Sequence, residues 1–426
     1  MPDQIKVIRG MHDILPADMS AWYQIEDGFR ALVENYGYQQ IRTPVIEKSA
    51  LFQRSIGEVT DIVEKEMYTF LDRNGDSLSM RPENTASVVR AGIENGLITD
   101  QLQRFWYNGP MFRHERPQKG RYRQFYQLGA ETFGMAGADI EAELIFLAAR
   151  FWKFLGLSDI NLEVNSLGSS ETRRKYRDIL VQYLKDNQQQ LDEDSLRRLQ
   201  TNPLRILDSK NPQMQQLIES APQLQDSLDQ ESASHFAKFT DILDQTAVSY
   251  RINTRLVRGL DYYCHTVFEW KTDSLGAQGT VCGGGRYDGL VSQLGGKPGY
   301  AAGFSMGIER LVMMLQDQNK VQPDKDPDIY MVLLGEKTEI SGQVLAESLR
   351  DQIKGLHLIV HSGGGSAKSQ MKKANKSNSK FALIIGESEI EQGTINLKYL
   401  RENKDQIEIK QNQLADKLLP LLQINS

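Results

Sequence analysis

The chain has 426 residues, with 50 Lys and Arg against 56 Asp and Glu, a net charge of −6 and 40% apolar residues. That length fits two or three domains with cores of their own, and the negative balance excludes a protein that coats nucleic acid indiscriminately, because nonspecific affinity comes from neutralising many phosphates. Cys264 and Cys282 are too few for a disulfide scaffold, and no apolar N-terminal run follows a basic start, so neither export nor membrane insertion is expected and the cytoplasm is the default compartment.

In chain order, Ala21–Asn35 places Trp22, Ile25, Phe29, Leu32 and Val33 at helical spacing, with Gly37 as a stop, and an extended segment ending at Pro44 follows. Phe112–Glu131, FRHERPQKGRYRQFYQLGAE, reads as two extended segments joined by a basic loop. Side chains two apart on a strand share a face, so Arg113 and Glu115 pair on the first segment, and Phe125, Gln127, Gly129 and Glu131 line up on the second. Gln127 and Glu131 would flank a gap at Gly129 suited to a small polar ligand; a solvated hairpin with its charges outside has the same composition. A carboxylate such as Glu131 on a segment expected inside a sheet requires a partner. A second helix is predicted over Asp139–Leu155, closed by Gly156 and covering the back of that sheet. Arg150 and Lys153 break its apolar stretch, which is also too short to span a bilayer.

Residues 170–247 turn to Gln, Asp and Leu with few β-branched residues, which predicts a helical insertion broken at Pro203, Pro212 and Pro222. It divides a first domain into residues 1–169 and 248–317. Residues 318–327 contain two prolines and no apolar cluster and read as a linker. Beyond it, apolar runs at Ile329–Leu334, Leu356–Val360 and Phe381–Ile385 alternate with a helical pattern around Val344–Ile353, so residues 328–426 are expected to form a small α/β domain with a partly parallel sheet. Lys368, Lys372, Lys373, Lys376 and Lys380 fall within thirteen residues free of acid, a face that serves either phosphates or solvent.

Several chemistries fail on spacing. HSGGGSAKS, His361–Ser369, lacks the glycine before lysine of a phosphate loop. Cys264 and His265, neighbours on an extended segment, are expected to project to opposite faces, which argues against a nucleophile–base pair. The six histidines show no metal-ligand spacing and two cysteines cannot make a zinc site alone, so no metal site is expected. Cys282–Leu290, CGGGRYDGL, lacks the context of a dinucleotide fingerprint; its glycines are expected to let backbone approach a ligand.

Leu256–Trp270, LVRGLDYYCHTVFEW, with Cys282–Leu290 and Gly303–Leu311, GFSMGIERL, resemble the two family-specific segments and the third class motif of histidyl-tRNA synthetases, and Phe112–Glu131 resembles that family's second class motif. RGMHDILP at Arg9–Pro16, Tyr36–Glu47, RPENT at Arg81–Thr85 and HSGGG at His361–Gly365 extend the resemblance in the family's order. It implies an α+β class II synthetase catalytic domain, an antiparallel sheet flanked by helices, with a helical insertion leaning over the tRNA acceptor stem and a C-terminal α/β anticodon-binding domain. It also implies a homodimer packed through the Ala21–Asn35 helix and the Pro44 strand, although an amphipathic helix against its own core is what the residues themselves favour.

The implied activity is ATP-dependent attachment of L-histidine to tRNA(His), with Mg²⁺ on the nucleotide's phosphates. The resemblance gives Arg113 and Arg258 the α-phosphate, and Glu115, Phe125 and Arg310 the adenine, with Arg310 and Arg121 also at the γ-phosphate. Glu83 and Gln127 fall at positions holding the histidine ammonium, Thr85 at a further histidine-binding position, Glu131 and Tyr263 at those reading the imidazole, and Tyr262 and Tyr287 line the same cavity. The basic loop would contact the acceptor end through Arg116, Gln118 and Arg123. The chain departs from the family at Tyr126, where His is common, at His12, where Asn is, and at Asn84, where Gly is, which puts the fine geometry of Glu83 in question. A regulatory paralogue, the synthetase-like subunit that partners ATP phosphoribosyltransferase, is the competing reading; retention of residues 320–426, Arg113, Arg258 and Arg310 speaks against it.

Overall fold

Residues 4–57, 60, 62–209, 211–246, 248–258, 260–276, 279–323 and 325–422 are described by a computed structural model. The chain divides into two units, Met1–Gln322 and Pro323–Ser426. The larger is built on an eight-stranded sheet in the order Gln39–Gln40, Gln103–Phe112, Gln124–Phe133, Ala301–Gly307, Thr280–Arg286, Cys264–Lys271, Asn161–Ser166 and Tyr250–Ile252. Its central strands are antiparallel and its two outermost pairings parallel.

Alternation along the strands separates two environments. On one face Trp106, Leu128, Ala130, Phe268, Trp270, Phe304 and Met306 enter the main core, where they meet Trp22, Ile25, Phe29 and Val33 of helix Met19–Asn35 and Leu144, Leu147 and Phe151 of helix Ala138–Leu155. The Met19–Asn35 helix thus buries its apolar stripe in its own subunit, as the residues favoured. The Ala138–Leu155 helix ends where Gly156 takes the left-handed conformation, φ +65. The opposite face carries Tyr107, Phe125, Gln127 and Glu131, packed toward Tyr262, Tyr263 and Tyr287.

The middle of the chain is helical. Tyr176, Leu180, Ile206, Met214, Leu217 and Ile218 form a separate small core, and Pro203 and Pro212 each open a short 3₁₀ turn, where the missing N–H costs nothing. Helix Gln230–Gln245, which the sequence reading placed in the insertion, instead packs Phe236, Phe239 and Leu243 into the main core.

The smaller unit has a five-stranded sheet in the order Leu358–Val360, Ile329–Leu334, Phe381–Gly386, Thr394–Tyr399 and Ile407–Lys410, parallel among the first three and antiparallel in the last two pairings. Pairing with Leu358–Val360 stops at Met331, and the side-chain amide of Gln370 continues it, accepting from Leu333 N at 2.9 Å and donating to Leu333 O at 2.6 Å. Lys368, Lys372, Lys373 and Lys376 are exposed on helix Ala367–Lys376, whose Gln370 and Ala374 face inward. Lys380 lies beyond that helix and donates to Asp328 at 3.0 Å, so the five-lysine face is reduced to four. Among the described residues no helix is long and apolar enough to cross a membrane.

Candidate active site

A cavity of about 240 Å³ opens on the sheet face that carries Phe125 and Gln127. Its wall includes Glu83, Thr85, Arg113, Glu115, Arg121, Phe125, Gln127, Arg258, Tyr262, Tyr263 and Arg310, eleven of the residues singled out from the sequence. Glu131, Tyr287, Arg116, Gln118 and Arg123 do not line it.

The first hairpin strand ends at Phe112, so Arg113 and Glu115 stand in the loop rather than on a pleated face. A tight turn brings them together: Glu115 N donates to Arg113 O at 2.8 Å, and Arg113 Nη1 lies 3.9 Å from Glu115 Oε1. Arg113 Nε donates to Pro82 O at 2.9 Å, and its guanidinium sits 5.3 Å from the Phe125 ring centroid. Burial lowers the Arg113 pKa. Arg121 pairs with Glu115 from the other limb of the loop, which reverses through reciprocal backbone bonds between Gln118 and Arg121, with Gly120 at φ +74. Arg116 and Gln118 are exposed at this tip, whereas Arg123 anchors it, its N donating to Gly10 O at 2.7 Å and its Nε to Glu115 O at 3.2 Å.

Glu83 lies just before helix Thr85–Glu94, and its carboxylate accepts from Thr85 N at 2.7 Å and Ala86 N at 3.0 Å. Burial nevertheless raises its pKa. The Asn84 side chain is turned away from the cavity, Oδ1 accepting from Thr43 Oγ1 at 2.6 Å and Arg81 Nη1 at 3.1 Å. Tyr126 packs edge-on against Trp22, and His12 against Tyr122; neither lines the cavity.

Glu131 is fully buried beneath the wall. It accepts from Thr85 Oγ1 at 2.7 Å and from the Tyr287 hydroxyl, while burial pushes its pKa up to about 8. The space expected at Gly129 is filled by protein: Tyr107, its cross-strand partner, lays its phenol ring where a Cβ would stand. The glycine makes room for Tyr107, which the sequence reading missed and which only the register exposes. Tyr262 is 4.7 Å from Tyr263 and 5.6 Å from Tyr287 between ring centroids, so the three form one aromatic cluster.

Arg258 forms an ion pair with Glu269 and lies 5.7 Å from the Tyr263 ring centroid, its guanidinium occupying the space above Gly283. Burial disfavours its charge, but Glu269 and the tyrosines outweigh that and raise its pKa. Glu269 also takes Thr280 Oγ1 at 3.1 Å and Lys271 Nζ at 3.1 Å. It too went unnoticed in the sequence, although alternation puts it on the face opposite Phe268 and Trp270. At the junction of strand Ala301–Gly307 with helix Ile308–Asp317, Arg310 donates to Gly120 O at 3.3 Å and to Thr280 O; burial, then Arg121 and Arg113, bring its pKa down to about 10. Next to it, Glu309 accepts from Tyr126 N at 2.9 Å and burial raises it to about 8.

Of the glycines in Cys282–Leu290, Gly283 brings backbone to the cavity wall, with the Arg258 guanidinium over it, whereas Gly284 and Gly285 make room for neighbouring strands and a Cβ at Gly289 would meet nothing within 4 Å; Arg286 behind them is held by both oxygens of Glu141, at 3.0 and 2.8 Å. The expectation that Cys264 and His265 diverge also fails. His265 has φ +45 and the strand pairing slips between Gly285 and Arg286, so ligand atoms of Cys264, His265 and Asp288 all lie within 4.8 Å of one another.

Comparison with known proteins agrees with this architecture. The histidyl-tRNA synthetase family model matches residues 10–311 and an anticodon-binding-domain model matches residues 328–421. A histidine–tRNA ligase of Hydrogenovibrio crunogenus is 55% identical over 415 residues, 97% of each chain. The crystal structure of apo S. aureus histidyl-tRNA synthetase superposes with a TM-score of 0.81 at 33% identity, over 97% of this chain and 99% of that one. A Bacillus halodurans protein described as an ATP phosphoribosyltransferase regulatory subunit/histidyl-tRNA synthetase shares the fold, TM-score 0.64 at 22% identity over 91% of this chain and 99% of that one. A helix-flanked mixed sheet followed by an anticodon-binding unit is the architecture of a class II aminoacyl-tRNA synthetase. Within that class, the chain belongs to the histidyl-tRNA synthetase family.

Proposed function

We propose that the chain is a histidine–tRNA ligase: it joins L-histidine to ATP as histidyl-adenylate, releasing pyrophosphate, and passes the histidyl group to the 3′ end of tRNA(His). The observation that carries the reading is the convergence of Arg113, Arg121, Arg258 and Arg310 on the cavity that also holds the Glu83 carboxylate. Negative charge develops on the α-phosphate as the histidine carboxylate attacks, and guanidinium groups fixed in place before the reaction stabilise it without reorganisation. Arg258, held by Glu269, and Arg113, held by Pro82 O, have that fixity. They act on the α-phosphate, while Arg121 and Arg310 meet the γ-phosphate, and Mg²⁺ enters with ATP as part of the substrate.

Adenine lies against Phe125 and Arg310 with its amino edge at Glu115. Glu83 and Gln127 hold the histidine ammonium, Thr85 binds beside them, and Tyr263 with the buried Glu131 reads the imidazole through the Tyr262–Tyr287 cluster. A site built around a ring donor rejects analogues lacking it because its buried polar groups would go unpaired. Arg116 and Gln118 at the exposed loop tip meet the acceptor end, with Arg123 as the loop's anchor. The regulatory-subunit reading is the weaker one: the relative at 55% identity is a ligase, and the Bacillus halodurans protein, at 22% identity, shares only the fold. A homodimer and a cytoplasmic site of work are part of the proposal; exposed Ile5, Val7, Ile8 and Tyr23 near the first helix favour association with a second copy.

Histidine-dependent exchange of labelled pyrophosphate into ATP, without tRNA, tests the activity. Exchange with histidine alone among the amino acids is expected, and its loss in Arg258→Ala and Glu131→Ala. Folded protein that gives no exchange would point instead to the regulatory role.

A further inference from the structure

We propose that Cys264, His265 and Asp288 form a binding site for one thiophilic divalent cation, Zn²⁺ being the best fit, apart from the cavity that takes the substrates. One sulfur, one imidazole nitrogen and one carboxylate oxygen, all within 4.8 Å of one another, are the donor set of a tetrahedral Zn²⁺ site with its fourth position left to water. The three come from different places: Cys264 and His265 from the start of one strand, Asp288 from the turn after its neighbour.

The backbone brings the donors together at a cost. His265 adopts φ +45, uncommon for a non-glycine residue and rarer at a strand position, where the pairing slips by a bulge between Gly285 and Arg286. Leu167 N donates to His265 O at 2.6 Å and His265 N to Gly168 O at 2.8 Å, which fixes the distorted residue. Asp288 is oriented in turn by Ala301 N at 2.8 Å, and the His265 imidazole has Ser232 Oγ 3.5 Å from Nδ1, the kind of outer partners that set ligand direction.

The surrounding charges suit a dication. Arg286 touches Asp288 at 3.3 Å, but Glu141 holds that guanidinium by both oxygens and is itself bonded to His235 at 2.9 Å, so the Arg286–Glu141 pair is neutral as a unit. A Cys264 thiolate and the Asp288 carboxylate then offset the two positive charges of the ion. On binding, the S–H bond breaks, an S–Zn bond forms and the proton leaves to solvent. Cys264 is buried while His265 and Asp288 are half-buried, which leaves an entry route on their side. A bound ion pins the residue after Tyr263 to the residue after Tyr287 and so braces the aromatic cluster.

Titration of the full-length protein with Co²⁺, followed by its thiolate-to-metal absorption, tests the site, with Zn²⁺ as displacing ion. One equivalent of Co²⁺ with a thiolate band is expected, the band vanishing in Cys264→Ala and affinity falling in Asp288→Asn by at least the ~100-fold upper end seen when an outer partner of a ligand is lost. Cys282→Ala should keep the band. Each variant is first checked by its metal-free melting temperature; should Cys264→Ala not fold, His265→Gln replaces it with the same expected loss of affinity. Absence of a thiolate band in the native protein, or an undiminished band in Cys264→Ala, overturns the proposal.

Discussion

Arg258 and Glu269 form an ion pair inside the wall of the cavity, and the space for the guanidinium exists because residue 283 is glycine. Glu269 meets no substrate in the proposed reading; it positions Arg258. Replacing it with Gln should lower the rate of histidine-dependent pyrophosphate exchange about 10- to 100-fold, mainly through kcat, and should also lower the melting temperature, because the largely buried Arg258 charge loses its partner. Gly283→Ala should act alike, since a Cβ there stands 2.5 Å from Arg258 Nη1. Normal kcat in both variants would remove Glu269 from the catalytic arrangement.

Glu131 supplies a proton-linkage prediction. With its pKa at about 8 it is protonated in the free protein at neutral pH. If the imidazole N–H reaches it, the ionised form is favoured and a proton leaves, so calorimetric titration with histidine at pH 7 in buffers of different ionisation enthalpy should show release of about one proton per chain. Glu131→Gln should bind weakly and release none. The same raised pKa fixes a sign for stability: the folded state holds the proton more tightly than the unfolded chain, so this group's contribution falls as pH rises from the ordinary value of 4.5 through about 8.

Glu141 has the opposite sign. Its pKa is brought down to about 2: burial pushes it up, but His235 and Arg286 outweigh that. The stabilisation is present above the unfolded value of 4.5 and is lost as pH falls toward 2. Glu141→Gln removes the two-oxygen partner of the buried Arg286 and leaves its charge only the Asp288 carboxylate at 3.3 Å, so denaturant unfolding near pH 7 should show a loss of about 3–5 kcal/mol.

In the smaller unit, Gln370→Ala strips partners from both Leu333 N and Leu333 O in a buried strand. A loss of about 2–4 kcal/mol is expected, from two unmet polar groups, read as a lowered unfolding transition of that unit. Exposed Lys372→Ala on the same helix should leave the transition within about 0.5 kcal/mol.

Local periodicity carried the fold a long way. The apolar stripes of the Met19–Asn35 and Ala138–Leu155 helices and the alternation of Gln127 and Glu131 against Leu128 and Ala130 are properties of neighbouring residues, and they survive folding unchanged. The last two strands of the smaller unit were not foreseen, because Ile407–Lys410 has only two apolar residues and takes its conformation from pairing with Thr394–Tyr399. Lys380 looked like one more member of a basic face until Asp328, fifty-two residues earlier, came within 3.0 Å.

The site divides in the same way. The residues that resemble the family's motifs and the alternation that points Phe125 and Gln127 one way are written in the chain, and these were enough to nominate half of the cavity wall. Which groups meet across the sheet was decided by tertiary structure: Tyr107 over Gly129, Glu269 on Arg258, Tyr287 on Glu131, and Cys264 beside His265 and Asp288. A period of two or 3.6 residues is set by local backbone sterics, so it can be read along the sequence. Register, bulges and buried ion pairs depend on segments far apart in the chain, and a shift of one residue in register would exchange every one of those neighbours.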